Sequence, residues 1–491
     1  MRWALALAAA AALHAGVIRG VVVENVTGKP LARAVVVLQP VGGTPGEERT
    51  VRATALGGFE FDSLAAGWYV LKASRKGFLA MEYGQKRWNS AAQPLLLHDD
   101  EDSFCNLRLL RYGAIAGTVV DENEIGLPDH EIAAYRLGSP AELVATAKTD
   151  DRGRYRLHGL EPGRYVVRTI GKQYDDGAYV PTYARETGEL SSAQEVDLLP
   201  EQEVEDVDVR PQPGRLARLT VGVTTDPPDA PVIITLASDT GRKTLQSNPA
   251  VFTGLPPGQY EVYAEAPAPP ESGEVLQAAY QRFVLHDDRA VTLIAKTVRP
   301  ADASVVGAPQ SDSSTVLIRR KDLAGTGKPA ALELARGQAV IPPGRWEVLL
   351  QPPDGYYVSG FWGSSHSAGV RPDGWNEFLA SDYTSLRFQL SGGPGSVQGA
   401  VKSGGDCVAG APVYLEAWDA AAKKRVGELR MARTDAQGQF LFSGLAPGDY
   451  RILSTFEYLD PDAETMTQAA QEITVAAHTE KPLDVELYVI R

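Results

Sequence analysis

One turn recurs five times along this chain, and it constrains the fold more than any other feature. In each copy an apolar residue leads into a bend closed by glycine, and an aromatic stands two places beyond that glycine. The copies are Leu64-Ala65-Ala66-Gly67-Trp68-Tyr69, Leu160-Glu161-Pro162-Gly163-Arg164-Tyr165, Leu255-Pro256-Pro257-Gly258-Gln259-Tyr260, Ile341-Pro342-Pro343-Gly344-Arg345-Trp346 and Leu445-Ala446-Pro447-Gly448-Asp449-Tyr450. Successive aromatics lie 86 to 104 residues apart. Self-similarity at a near-constant period marks a chain made by copying one unit.

The surroundings repeat as well. Upstream of three copies lies a second turn followed by an aromatic: Gly57-Gly58-Phe59, Thr149-Asp150-Asp151-Arg152-Gly153-Arg154-Tyr155 and Thr434-Asp435-Ala436-Gln437-Gly438-Gln439-Phe440. Aspartate can accept from backbone amides further along, and glycine supplies the positive φ that closes such a turn. The segments Tyr155-Arg156-Leu157 and Phe440-Leu441-Phe442 then alternate with the period of two of a half-buried strand. Units open on glycine-flanked strands, Gly16-Val17-Ile18-Arg19-Gly20, Gly113-Ala114-Ile115-Ala116-Gly117 and Gly395-Ser396-Val397-Gln398-Gly399. They close on alternating ones such as Cys105-Asn106-Leu107-Arg108-Leu109 and Val485-Glu486-Leu487-Tyr488. Short strands punctuated every 8–12 residues or so describe antiparallel β-sandwiches. The expected fold class is therefore all-β, a tandem array of about five small antiparallel sandwiches after a signal peptide.

The expected divisions are 1–15 signal peptide, then repeat 1 at 16–112, repeat 2 at 113–213, repeat 3 at 214–300, repeat 4 at 301–394 and repeat 5 at 395–491. Repeats 3 and 4 lack the aspartate turn and the glycine-flanked opening. The 48 glycines and 33 prolines among 491 residues together exceed the roughly 12% average for the pair, as many turns require. The connections Leu110-Arg111-Tyr112 and 210–213 are too short to be flexible coils. Neighbouring sandwiches are expected to touch, forming a semi-rigid rod or arc. The segment 462–471 has room for a short helix.

Residues 1–15 carry one basic residue, a short apolar run and small residues before Ala15, the pattern of an exported chain's leader. That run is shorter than the about 20 apolar residues a membrane span needs. Cys105 and Cys407, the two cysteines, would sit in different repeats and are expected to be free, buried thiols. A net charge of −14 with no basic block repels phosphate backbones, so nucleic acid is not an expected partner.

The opening strand, the Asp-x-x-Gly-aromatic turn and the Pro-Gly-x-aromatic turn resemble those of carboxypeptidase regulatory-like domains. The resemblance is good over 16–102, 113–212 and 395–491 and weaker between. It implies transthyretin-like Greek-key sandwiches of a carbohydrate-binding-like fold, acting as accessory or binding modules, since in that family any peptidase is a separate domain.

In His98-Asp99-Asp100-Glu101 the spacing of His and Glu suits zinc, yet Leu97-His98-Asp99-Asp100 recurs as Leu285-His286-Asp287-Asp288 at the same point of repeat 3. A turn before the closing strand explains both. Ser364-Ser365-His366-Ser367 reads as a solvated loop, and Asp121-Glu122-Asn123-Glu124 as a turn rather than a calcium loop. No zinc-protease, nucleophile-elbow or phosphate-loop motif is present. The expectation is no enzyme, no cofactor and no metal. The candidate ligand or partner surface is Tyr356, Tyr357, Phe361, Trp362 and Trp375, aromatics of repeat 4 that offer flat faces if exposed together. The expected function is a secreted, non-catalytic structural or interaction module, periplasmic or extracellular, meeting a protein or polysaccharide at the cell surface without inserting into the membrane. The alternative is a carbohydrate-binding accessory protein.

Overall fold

The computed structural model describes residues 16–490 except 139–140, 176, 229, 240, 268–275, 308–314, 333–339, 364–373, 420–423 and 426–428. The leader and the Ser364–Ser367 cluster lie outside the described residues. The chain is all-β, with the helix Ala463–Ala469 and a single 3-10 turn at Leu190–Ser192 as the helical elements among the described residues.

The recurring aromatic explains how the sheets are joined. Tyr69, Tyr165, Tyr260 and Tyr450 are buried, and Trp346 is half-buried. Every one also points its polar atom back at the carbonyl four residues earlier. Tyr69 donates to Ala65, Tyr165 to Glu161, Tyr260 to Pro256, Tyr450 to Ala446, and the Trp346 indole N–H to Pro342, all at 2.6–2.8 Å. The ring fills the core while its one polar atom satisfies a turn carbonyl, so burial leaves no orphaned donor. Burial pushes the Tyr450 phenol up to about 12.

Buried apolar side chains gather in clusters, and five of these each draw on one stretch of chain, residues 18–109, 115–209, 217–295, 301–390 and 397–485. The first four cores each lie between two sheets, and in repeat 5 the closing strand Val485–Tyr488 pairs with both Gly395–Ser403 and Gly448–Thr455, joining the strands into one continuous sheet. In repeat 1 the smaller sheet has the order Gly58–Leu64, Gly16–Glu24, Asp102–Leu109, and the larger is Arg49–Arg52, Val35–Val41, Gly67–Ser74, Met81–Glu82, with Leu95–Leu97 also paired to Gly67–Ser74. Repeats 2 and 3 follow the same scheme. Repeat 4 departs from it. Its strand Tyr356–Gly363 crosses over to pair with the closing strand Ser385–Gly392, which therefore stands between it and the opening strand Asp302–Val306.

The sandwiches are not purely antiparallel. In every repeat the first strand lies parallel to the last, as in Gly16–Glu24 beside Asp102–Leu109 and Ala217–Thr224 beside Arg289–Ile294. This contact accounts for the second glycine of the opening strands. A Cβ on Gly117 would stand 2.3 Å from the Val207 carbonyl oxygen, and one on Gly20 would be closer still to Cys105. Only glycine admits so close a backbone. The aspartate turns close as their chemistry requires: Asp150 accepts from the amides of Arg152 and Arg154, and Asp435 from those of Gln437 and Gln439, at 2.8–2.9 Å.

Consecutive repeats touch, and repeat 5 also returns to repeat 1, which corrects the open rod or arc. The Ala91 amide donates to the Phe456 carbonyl at 2.8 Å and the Leu459 amide to the Asn89 carbonyl at 2.6 Å. Arg87 pairs with Glu457, and Pro94 sits against Gly410. Two further junctions are also polar. Arg242 of repeat 3 grips Asp322 of repeat 4 through two bonds of 2.7 and 2.8 Å, while the Asn25 amide of repeat 1 donates to Glu201 of repeat 2 at 3.0 Å.

Candidate functional site

The five aromatics of repeat 4 do not form one exposed face. Phe361 is 1% exposed and packs on Phe378 and Phe388 inside the core, and Trp375 is 4% exposed beneath the Arg319 guanidinium. Tyr356 is half-buried against the same core, and Tyr357 is half-buried beside it. Trp362 alone is well exposed, at 43%. The physical reason is the strand Tyr356–Gly363, whose alternation sends Phe361 inward and its neighbour Trp362 outward.

The other sequence candidates are structural. His98 to Glu101 form a turn in which the Glu101 carboxylate accepts the His98 backbone N–H at 2.7 Å. Asp288 of repeat 3 accepts the Arg218 amide at 2.9 Å. Asp121 is spent on the amides of Asn123 and Ile125. Cys105 is buried and Cys407 exposed, so the expectation of two buried thiols holds only for Cys105. Cys407 sits on the short edge strand Asp406–Cys407, where its side chain has no core to enter. Among the described residues no three His, Cys, Asp or Glu side chains gather as a metal would need, and no helix is long and apolar enough to cross a membrane.

What the structure does assemble is a cleft of about 1380 Å³ where repeats 1, 2 and 5 meet. Repeat 1 contributes Lys72, Arg108 and the loop 83–94 that carries Trp88. That loop is held by its own polar groups. Gln85 accepts the Glu82 amide at 2.9 Å and donates to the Ser90 carbonyl at 2.6 Å, and Ser90 in turn bonds both backbone groups of Arg87. Repeat 2 contributes Arg136, paired with Glu161 at 3.1 Å, together with Arg164 and Asp197. Repeat 5 closes the third side with Leu459, Asp460 and Asp462. Asp462 caps the helix Ala463–Ala469, its carboxylate accepting the Thr465 amide at 2.8 Å. Trp88 and Tyr112 line the cleft half-buried, while Lys72, Lys86 and Arg108 are exposed and, among the described residues, have no carboxylate partner. Sequence reasoning missed this site because its three walls come from distant stretches of chain.

Fold and cleft together define a tandem β-sandwich protein. The family model of the carboxypeptidase regulatory-like domain matches residues 17–92 and 114–210, within the first two repeats. No curated protein matches the chain. Among solved structures it is similar to GBS52, the minor pilin of the Gram-positive pathogen Streptococcus agalactiae, at 15% identity and a TM-score of 0.27 over 41% of this chain and 97% of that one. It is also similar to the Bacillus anthracis TIE protein, at 10% identity and a TM-score of 0.17, covering 92% of this chain and 68% of that one. The shaft pilin SpaA of Lactobacillus rhamnosus GG matches at 11% identity and a TM-score of 0.24, over 41% of this chain and 98% of that one.

Proposed function

We propose that this chain is an exported, non-catalytic array whose sandwiches act as a rigid interaction module outside the cytoplasm, meeting a protein or polysaccharide at the cell surface. The observation that carries the reading is where the conspicuous polar groups go. The motif aspartates bond turn amides, the repeated tyrosines bond turn carbonyls, and charged side chains such as Arg242 and Asp322 join one repeat to the next. Catalysis needs titratable groups converging on a reacting atom, whereas these groups are committed to holding shape. The −14 charge suits a soluble surface that stays clear of nucleic acid.

Expression of the full chain in a bacterial host tests this. Recovery outside the cytoplasm with a mature terminus at or near Gly16 supports the reading. An unprocessed chain confined to the cytoplasm overturns it. Binding of carbohydrate is the second reading, and the three-repeat cleft is the observation that favours it.

A further inference from the structure

We propose that the cleft between repeats 1, 2 and 5 binds an oligosaccharide bearing carboxylates, and that it exists only while repeat 5 is docked on repeat 1. The inference rests on the non-catalytic reading above and gives it a ligand. At about 1380 Å³ the cleft exceeds the roughly 300–1,000 Å³ of sites for one compact ligand. It has room for an extended occupant.

The lining decides the chemistry. Trp88 and Tyr112 are half-buried rings packed against the core of repeat 1 whose exposed parts line the cleft, and aromatic rings suit the C–H faces of sugars. Asn89 adds a side-chain amide that both donates and accepts, as a hydroxyl-rich ligand requires, while the amides of Asn25 and Gln85 are engaged within the protein. The exposed cations Lys72, Lys86 and Arg108 line this cleft, and among the described residues none of them forms an ion pair. They are left to answer a ligand's carboxylates. Asp197, Asp460 and Asp462 share the lining and oppose a densely charged polyphosphate. An extended peptide would be held best along a free sheet edge, whereas the loop 83–94 and the stretch 456–462 form much of this wall.

The third wall depends on docking. Leu459 and Asp460 reach the cleft because the neighbouring backbone bonds Ala91 to Phe456 and Leu459 to Asn89, with Arg87 against the nearly buried Glu457. Reversing one charge there sets two carboxylates face to face, and reversing both restores attraction.

Calorimetry on the full chain tests the proposal with three probes: a short oligogalacturonate, a neutral cello-oligosaccharide of the same length and a glutamate peptide. The expected result is salt-sensitive binding of the oligogalacturonate alone. Trp88→Ala, and Lys72→Gln with Arg108→Gln, should each weaken it about tenfold or more. Both lysine and arginine side chains are exposed, so that double variant keeps its fold. Arg87→Glu should abolish binding, and Glu457→Arg added to it should restore binding. Equal binding of the cello-oligosaccharide or of the peptide overturns the ligand class. Full binding by Arg87→Glu in a chain shown by scattering to have opened overturns the dependence on docking. If the sugar is bound and shortened, the non-catalytic reading falls; if it is neither bound nor shortened, only this inference falls.

Discussion

Tyr165 shows how one residue does two jobs. Its ring is fully buried and its hydroxyl donates to the Glu161 carbonyl at 2.6 Å. Tyr165→Phe keeps the ring and orphans that carbonyl, so the expected loss is about 1 kcal/mol, whereas Tyr165→Ala empties the core and should cost about 3–5 kcal/mol. Amide exchange of the strand Gly163–Thr169 checks both, because it reports the opening of repeat 2 without assuming that the whole chain unfolds at once. His130 is a second residue whose chemistry is set by its surroundings. It is fully buried, its Nδ1 lies 2.9 Å from the Tyr174 hydroxyl, and burial first and the Lys172 charge second bring its pKa from 6.5 to about 4. The unfolded chain therefore takes up a proton near pH 6.5 that the folded one refuses until about 4. Stability that is fully present above pH 6.5 is lost as the pH falls toward 4, by about 3 kcal/mol in all. Exchange protection of repeat 2 measured from pH 7 to pH 4 should fall more steeply in the native chain than in His130→Asn. Equal slopes would show that another group governs the acid response.

At the scale of elements, the parallel pairing of first and last strands is what makes each repeat a closed unit. The opening strand bonds the strand that leads into the glycine-closed bend on one side and the closing strand on the other, so it is central in repeats 1, 2, 3 and 5. Gly117→Ala drives a methyl into the Val207 carbonyl, and overpacking of that kind costs about 1–3 kcal/mol. The strand Glu203–Val204 should lose protection first, because its pairing with Gly113–Thr118 is displaced. A thermal melt of the variant that matches the native chain would remove the close approach as the reason for the glycine. Another element owes its place to a buried ion pair. Arg451 is 2% exposed, donates to Glu416 at 2.6 Å and to Thr467 at 2.9 Å, and lies over the Trp418 ring. It thereby ties the helix Ala463–Ala469 onto the sheet, with Met466 buried beneath. The short helix was legible at 462–471 because aspartate at its start is a capping residue. The ion pair under it was not, since Glu416 and Arg451 meet only through the register of neighbouring strands.

For the whole molecule, the consequential contact is the one between its two ends. Arg87→Glu should raise the radius of gyration measured by small-angle scattering, and the further change Glu457→Arg should return it to the native value. An unchanged radius in the single variant would mean that the backbone bonds at Ala91 and Leu459 hold the ends together without the ion pair. The sequence by itself determined the all-β class and the place of the glycine-closed bends and of the aromatic behind each. Those depend on local alternation, on turn chemistry and on a period that can be counted. Only the tertiary structure decided that Phe361 and Trp375 are core while Trp362 is surface, and that Trp88, Arg136 and Leu459 share one cleft. Pleat direction and the docking of distant repeats depend on contacts between residues up to several hundred positions apart, and no local pattern encodes such a contact.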